Sequence, residues 1–257
     1  MNLIHFPPLT DVILYSYAFY TILAIVVYKL ESSGSFNLPY SKFAKTTGMN
    51  PRVGMFLIYF LPILAYISTW DQNPNDTSYY KYLTLAMFIF HFGKRCLEVL
   101  FLHQFSGKIG IPAVFFITLA YSNIGFLAGS LHNRTPESVA NEIPKVWIVI
   151  GVFLFLIGEI GNFYHHLILK RLRTSSEDKA YKIPNDGQFR ILVCPHYFYE
   201  LVAWFAFAMV STYIDVYFIF IIMAAYLAGR SVRTQIWYRE KIPNFPTSRK
   251  KIFPYLY

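Results

Sequence analysis

Charged residues are scarce in this sequence of 257 residues. Asp, Glu, Lys and Arg make up 14% of the chain, against about 25% in soluble globular domains. Hydrophobic residues make up 55% and aromatic residues 19%. Apolar runs of about 20 residues recur along the chain, which is the length that a helix needs to cross a bilayer about 30 Å thick. The composition therefore excludes a soluble protein and predicts an all-α polytopic membrane protein.

Cysteine and several cofactor motifs are also lacking. The only cysteines, Cys96 and Cys194, lie in or beside apolar segments, so neither a disulfide framework nor a zinc site is expected. The sequence contains neither GxGxxG nor GxxxxGKS/T, which excludes a Rossmann dinucleotide fold and a P-loop. Seven histidines are present without an HxxxH or HxxHH box, so we expect no metal. The N-terminus lacks the basic region and cleavage site of a signal peptide.

The apolar runs predict about seven transmembrane helices within a single membrane domain, residues 1–257. Two longer polar connections, about 30–52 and 170–196, and the C-terminal tail are expected to build one face of this domain. The predicted helices cover roughly residues 9–29, 52–70, 79–102, 110–130, 146–169, 197–213 and 215–235.

Lys and Arg are distributed unevenly between the loops that join these predicted helices. If successive loops lie on alternate sides of the membrane, most Lys and Arg residues fall in the connections at 30–52 and 170–196 and in the tail, and few fall in the loops on the other side. Cytosolic loops carry such an excess. The N-terminus is therefore predicted to be lumenal and the C-terminus cytosolic. The net charge of +9 is explained by these loops, and nucleic acid is not expected as a partner.

Four predicted helices carry ionisable side chains near their cytosolic ends. Such groups are costly in lipid and normally face a partner or a polar cavity. Each group taken alone fits a salt bridge between helices or an interfacial side chain, but the four sets together favour a polar pocket that opens to the cytosol. The sets, each on one helix face, are His91, Lys94, Arg95 and Glu98; Glu159, Asn162, His166 and Arg173; His196, Tyr197 and Glu200; and Arg230 with Arg233 or Thr234 and with Trp237 or Tyr238.

Four sequence stretches resemble the steroid 5α-reductase family, that is, proteins with the 3-oxo-5α-steroid 4-dehydrogenase C-terminal domain. Three of them resemble its cofactor-binding segments and its tail: "GNFYHHLILKRLR", "AYKIPNDGQFRILVCPHYFYELVAW" and "YREKIPNFPTSRKKIFPYLY". The fourth, "HFGKRCLEVLFLHQFSG", resembles the third-helix motif of the very-long-chain enoyl-CoA reductase branch of the same family.

The resemblance implies an NADPH-dependent, multi-pass reductase of the endoplasmic reticulum membrane. Such an enzyme reduces a C=C bond conjugated to a carbonyl in a hydrophobic lipid, either a 3-oxo-Δ4-steroid or a long-chain trans-2-enoyl-CoA. Residues 1–108 would form the substrate side, and residues 109–257 would form the C-terminal region with the NADPH site. The residues that would contact NADPH are Asn162, His166, Arg173, Tyr181, His196, Glu200, Arg230, Tyr238 and Arg249.

The resemblance also implies catalytic and substrate residues. Tyr197 would donate a proton, although a packing role remains an alternative, and Glu200 would bind the nicotinamide amide. Phe60 and Phe92 stand where steroid reductases use a Glu and a Tyr to hold the 3-oxo group, and neither can donate a hydrogen bond. His196, Asp186 and Gln235 replace an Asn, a Gly and a His that are common in the family. The substrate pocket is expected to include Phe60, His91, Phe92, Arg95 and Glu98.

Three alternatives from other classes remain open. An isoprenylcysteine-type membrane methyltransferase shares the polytopic build, but "CPHYFYE" lacks the Arg and Gly of its RHPxYxG motif. A receptor or carrier with seven helices would not need a basic cytosolic pocket. A relative that binds NADPH without catalysis is compatible with the two Phe substitutions.

Overall fold

The computed structural model describes residues 3–34, 47–70, 78–105, 107–172 and 182–257. These ranges are helical, and they contain isolated β-bridges but no β-strand. α3 continues into a single π-helical turn, Glu98–Leu102, and a 3-10 turn, Gly187–Arg190, precedes α7. The helices are α1 Asp11–Ser33, α2 Pro51–Ile67, α3 Tyr79–Leu97, α4 Ile111–Asn133, α5 Glu137–Glu142, α6 Lys145–Arg171, α7 Pro195–Ser211 and α8 Ile214–Lys241.

The all-helical prediction is confirmed, and each of the seven predicted segments contains a helix. Four of these helices, α1, α4, α6 and α8, are long and apolar enough to cross a membrane. α2 and α7 have 17 residues each, which corresponds to about 26 Å of helix. α3 contains Lys81, Lys94 and Arg95. A membrane protein with several spans is therefore supported, whereas the count of seven spans stays a prediction.

Local signals in the sequence define several helix ends. Thr10 caps α1 by accepting a hydrogen bond from the Ile13 amide at 3.3 Å. α1 then ends at Gly34 with a φ of 78°, a left-handed conformation that glycine adopts without strain. Pro195 occupies the first turn of α7, where its missing N–H has no helical partner to lose. Pro195 therefore marks the beginning of α7, and the polar residues His196, Tyr197 and Glu200 follow it in the first turns.

α6 and α7 pack closely because two glycines of α6 leave room for α7. A Cβ atom on Gly158 would lie 2.5 Å from the backbone nitrogen of Ala203, and one on Gly161 would lie 2.2 Å from Cδ1 of Tyr199. Small residues at such contacts allow helices to approach each other in membranes. The contact brings the polar face of α6 next to the first turns of α7.

The N-terminal segment and the C-terminal tail lie at opposite ends of the bundle. The backbone of His5 exchanges hydrogen bonds with Thr212 and Ile214, in the hairpin between α7 and α8. At the other end, the carbonyl oxygen of Lys250 accepts a hydrogen bond from the Val193 amide at 2.8 Å. The phenol oxygens of Tyr28 and Tyr257 are 2.6 Å apart, which joins α1 to the tail. The sides of the membrane on which the two termini lie stay a prediction.

Candidate functional site

Five polar side chains from α3, α6 and α7 form a closed ring of contacts, which we call the polar ring. Glu159 accepts from Nδ1 of His91 at 2.6 Å and lies 2.8 Å from Nζ of Lys94. Lys94 donates to Oδ1 of Asn162 at 2.6 Å. The ring closes at Glu200, whose two oxygens lie 2.9 Å from Nδ2 of Asn162 and 3.4 Å from Nε2 of His91. Three predicted polar helix faces therefore meet in one site.

A second group of charged side chains continues from the polar ring along α3. Arg95 forms a buried ion pair with Glu98 and donates to the Tyr59 hydroxyl on α2 at 2.9 Å. Nδ1 of His166 lies 3.0 Å from Oε2 of Glu98. Arg95, Glu98 and His166, all predicted site residues, are thus brought together beside the ring.

Glu98, His103 and His166 have the spacing of metal ligands, since their ligand atoms lie within 4.8 Å of one another. The Nη1 atom of Arg95, however, contacts Oε2 of Glu98 and lies 3.1 Å from Nδ1 of His166. A guanidinium already supplies positive charge at this point, and a metal ion would have to displace it. The cluster is therefore better described as an ion-pair group than as a metal centre.

The first turn of α7 lies between the polar ring and the tail. The backbone oxygen of His196 accepts from Nδ2 of Asn162 at 2.9 Å. The imidazole of His196 lies 4.3 Å from the ring of Tyr197, measured between centroids. Tyr197 is half-buried, and it packs both against the core of the bundle and against the smaller apolar cluster that contains Tyr238 and Phe245. The predicted residues His196, Tyr197 and Glu200 therefore share one boundary region.

An apolar recess lies on the opposite side of His91 from the tail. Its cavity volume is about 10 Å³, which is room for about one water molecule. Nε1 of Trp204 is buried without a hydrogen-bond partner among the described residues. The recess is lined by Met87, Phe88, His91, Phe92, Phe155, Ala203, Trp204 and Phe207.

The two Phe residues predicted for the substrate pocket lie in different parts of the structure. Phe92 is buried and lines the recess. Phe60 has an exposed fraction of 37% and stacks on Phe56, with centroids 5.2 Å apart. The outward face of α2 thus carries Phe60 away from His91, Phe92, Arg95 and Glu98, which the structure brings together.

Arg249 and Tyr238 belong to a tail cluster at the end of the bundle. Arg249 donates to the carbonyl oxygen of Pro184 at 2.8 Å and to Oδ1 of Asn185 at 2.5 Å. Its Nε is buried without a hydrogen-bond partner among the described residues. Burial lowers the pKa of Arg249, and the nearby Tyr238 opposes this shift. Tyr238 stacks on Phe245 with ring centroids 5.0 Å apart.

Arg230 lies apart from both the polar ring and the tail cluster. It is buried, and its Nη1 is 3.3 Å from Oε2 of Glu31 on α1. Arg230 of α8 therefore contacts α1. The side chains of the polar ring come from three of the four predicted polar faces, those of α3, α6 and α7. The remaining predicted cofactor residues, Arg173 and Tyr181, lie outside the described residues.

The residues that sequence reasoning missed include Tyr59, Trp204 and Glu31. Tyr59 lies one position from Phe60 in an apolar run and carries no periodic polar signal. Trp204 follows Glu200 by one helical turn, and this spacing could have predicted that the two side chains lie on the same face of α7. Glu31 stands in the last turn of an apolar helix, where a charged residue is expected at the membrane interface and not in a buried pair.

The fold and these clusters define a polytopic membrane protein with buried polar sites toward one end. The family model for 3-oxo-5-alpha-steroid 4-dehydrogenase matches residues 104–257, and the chain belongs to this family. Its members are oxidoreductases that act on CH–CH groups.

Individual relatives match over most of the chain. It is 28% identical to 3-oxo-5-alpha-steroid 4-dehydrogenase 1 from Homo sapiens, over 77% of this chain and 75% of that protein. It is 28% identical to steroid 5-alpha-reductase DET2 from Gossypium hirsutum, over 96% and 99% of the two chains. It is 26% identical to very-long-chain enoyl-CoA reductase from Dictyostelium discoideum, over 78% and 64%.

Proposed function

We propose that the protein is an NADPH-dependent membrane reductase that reduces a C=C bond conjugated to a carbonyl in a lipid substrate. The observation that carries this proposal is the position of Glu200. Its carboxylate is held by Asn162 and His91, and it lies one helical turn from Tyr197. Family membership supplies the reaction class, and this constellation supplies the residues for it.

The described residues fit a phosphorylated nicotinamide cofactor. Buried Nε atoms of Arg233 and Arg249 lack hydrogen-bond partners among the described residues, and guanidinium N–H groups are good donors to phosphate oxygens. Glu200 offers an acceptor for a carboxamide N–H group. The residues proposed to hold the cofactor are Asn162, His166, Arg173, Tyr181, His196, Glu200, Arg230, Arg233, Tyr238 and Arg249.

The reaction adds a hydride and a proton across the double bond. Bound NADPH would supply the hydride for the β-carbon. The hydroxyl of Tyr197 donates the proton to the α-carbon, and solvent returns a proton to the phenolate. Glu200 would hold the nicotinamide by accepting a hydrogen bond from its amide N–H. Tyr197 packs between the core and the tail cluster, and this supports the proposal that it lies between NADPH and the lipid substrate.

The apolar recess supports a hydrophobic substrate. Its walls are mainly Phe, Trp and Met side chains, which favour an apolar ligand. The recess would have to widen to admit a steroid ring or an acyl chain. Phe92 cannot hold a 3-oxo group by a hydrogen bond, and Phe60 lies outside the recess. Together with the third-helix motif, this favours the enoyl-CoA over the steroid substrate.

We place the enzyme in the endoplasmic reticulum membrane with seven spans and the tail end in the cytosol. The excess of Lys and Arg in the tail and in the loop before α7 supports this orientation. A cytosolic tail end would give NADPH direct access to Arg249.

The test is NADPH oxidation by detergent-purified protein. A 3-oxo-Δ4-steroid and a long-chain trans-2-enoyl-CoA are supplied in parallel assays, and the NADPH dissociation constant is measured by cofactor fluorescence. We expect turnover of at least one substrate, with the enoyl-CoA preferred. NADPH binding without turnover of either substrate would favour the non-catalytic alternative. Absence of NADPH binding, with binding of S-adenosylmethionine instead, would favour the methyltransferase.

A further inference from the structure

Glu159 has a special place in the polar ring, because it is the member that contacts both cations. It lies 2.6 Å from Nδ1 of His91 and 2.8 Å from Nζ of Lys94. Its side chain is 2% exposed. Among the described residues, contacts lead from Glu159 to Glu200 through His91 and through Lys94 and Asn162, and the two carboxylates also repel each other directly.

Lys94 fixes the orientation of the Asn162 amide. A lysine ammonium is a donor only, so the amide atom at 2.6 Å from Nζ must be the oxygen Oδ1. Nδ2 then points toward α7, where it donates to Oε2 of Glu200 and to the His196 carbonyl. His91 reaches the other Glu200 oxygen, Oε1, at 3.4 Å. Each oxygen of Glu200 is thus held by a residue that Glu159 orients directly or through Lys94.

We propose that Glu159 is a positioning residue of the reductase site, which acts through His91 and Lys94 to set the direction of the Glu200 carboxylate and the Asn162 amide. The inference rests on the proposed function, because Glu200 and Asn162 are the groups proposed to bind the nicotinamide. Without the charge of Glu159, two cationic groups would face each other in a buried site with less compensation. Both would move, and the direction of Glu200 would be lost.

The experiment compares Glu159→Gln with the wild-type protein. Glutamine keeps the size of the side chain and removes its charge. We expect the NADPH dissociation constant to rise about tenfold and kcat to fall about 100-fold, because small misplacements of reacting groups cost this much. KM for the enone lipid is expected to stay within twofold. The matched control is Ser211→Ala, which removes a partner of His132 from another buried polar cluster and is expected to leave both constants unchanged.

A double variant separates positioning from a purely structural helix contact. Lys94→Met together with Glu159→Gln removes both partners of one ion pair, so thermal stability is expected to recover toward wild type. The Asn162 amide still lacks its orienting partner, so kcat and NADPH affinity are expected to remain low. Recovery of all three quantities together would overturn the inference. The double variant decides the question if Glu159→Gln alone does not fold.

Wild-type constants in Glu159→Gln would also overturn the inference while leaving the proposed function intact. If the wild-type protein neither bound NADPH nor reduced either substrate, the proposed function would be rejected, and the positioning role would be rejected with it.

Discussion

Asn162 on α6 donates a hydrogen bond from Nδ2 to Oε2 of Glu200 on α7, across 2.9 Å. The bond joins two helices whose close approach depends on Gly158 and Gly161. It also joins two residues that are 38 positions apart in sequence. The geometry of the proposed nicotinamide site is therefore a property of the contact between α6 and α7.

Replacement of Gly158 is expected to disturb this contact. Gly158→Ala places a methyl group 2.5 Å from the Ala203 nitrogen, and such overpacking costs about 1–3 kcal/mol. The melting temperature and the NADPH affinity should both fall. The matched control is Gly93→Ala, since a Cβ atom there meets nothing within 4 Å. The control should keep or raise stability, because alanine favours a helix over glycine by about 1 kcal/mol. Equal behaviour of the two variants would contradict the prediction.

Tyr197→Phe removes the proposed proton donor and leaves the aromatic packing in place. We expect kcat to fall about 100-fold or more, as is typical for loss of a general acid. The NADPH dissociation constant should stay within twofold of wild type. Steady-state kinetics and cofactor fluorescence measure the two quantities. Unchanged turnover would assign Tyr197 to packing alone.

Arg249→Ala is expected to weaken NADPH binding about tenfold or more. The guanidinium has a buried Nε without a hydrogen-bond partner among the described residues, so it retains a donor for the cofactor. Arg249→Lys should rescue only part of the loss, because an ammonium lacks the planar donor fork. Lys250→Ala, at the exposed neighbouring position, serves as the control. A dissociation constant in Arg249→Ala equal to that of the control would remove Arg249 from the cofactor site.

Phe92→Tyr tests the substrate preference. The new hydroxyl would enter the recess that Phe92 lines and would offer a donor to a 3-oxo group. We expect the ratio of steroid to enoyl-CoA kcat/KM to rise about tenfold, as one well-placed hydrogen bond allows. Phe60→Tyr, on the outward face of α2, is the control and should not change the ratio. A ratio that is unaltered in Phe92→Tyr would show that the steroid carbonyl does not bind beside this residue.

The sequence predicted the faces of the helices better than the relations between them. Spacings of three and four residues correctly placed His91, Lys94, Arg95 and Glu98 on one side of α3, because helical periodicity fixes directions within a helix. Periodicity does not fix how one helix is rotated against another. For this reason the sequence did not predict that Arg230 of α8 contacts Glu31 of α1, or that Phe60 faces outward. The π-helical turn that begins at Glu98 contains no glycine or proline from which it could have been predicted.

The contacts of α1 have a consequence for assembly during synthesis. α1 packs mainly against α8, and Tyr28 pairs with Tyr257, 229 positions later. α1 is therefore made well before its main partners in this chain, α8 and the tail. Until α8 and the tail have been made, α1 lacks the neighbours that it has in the finished fold.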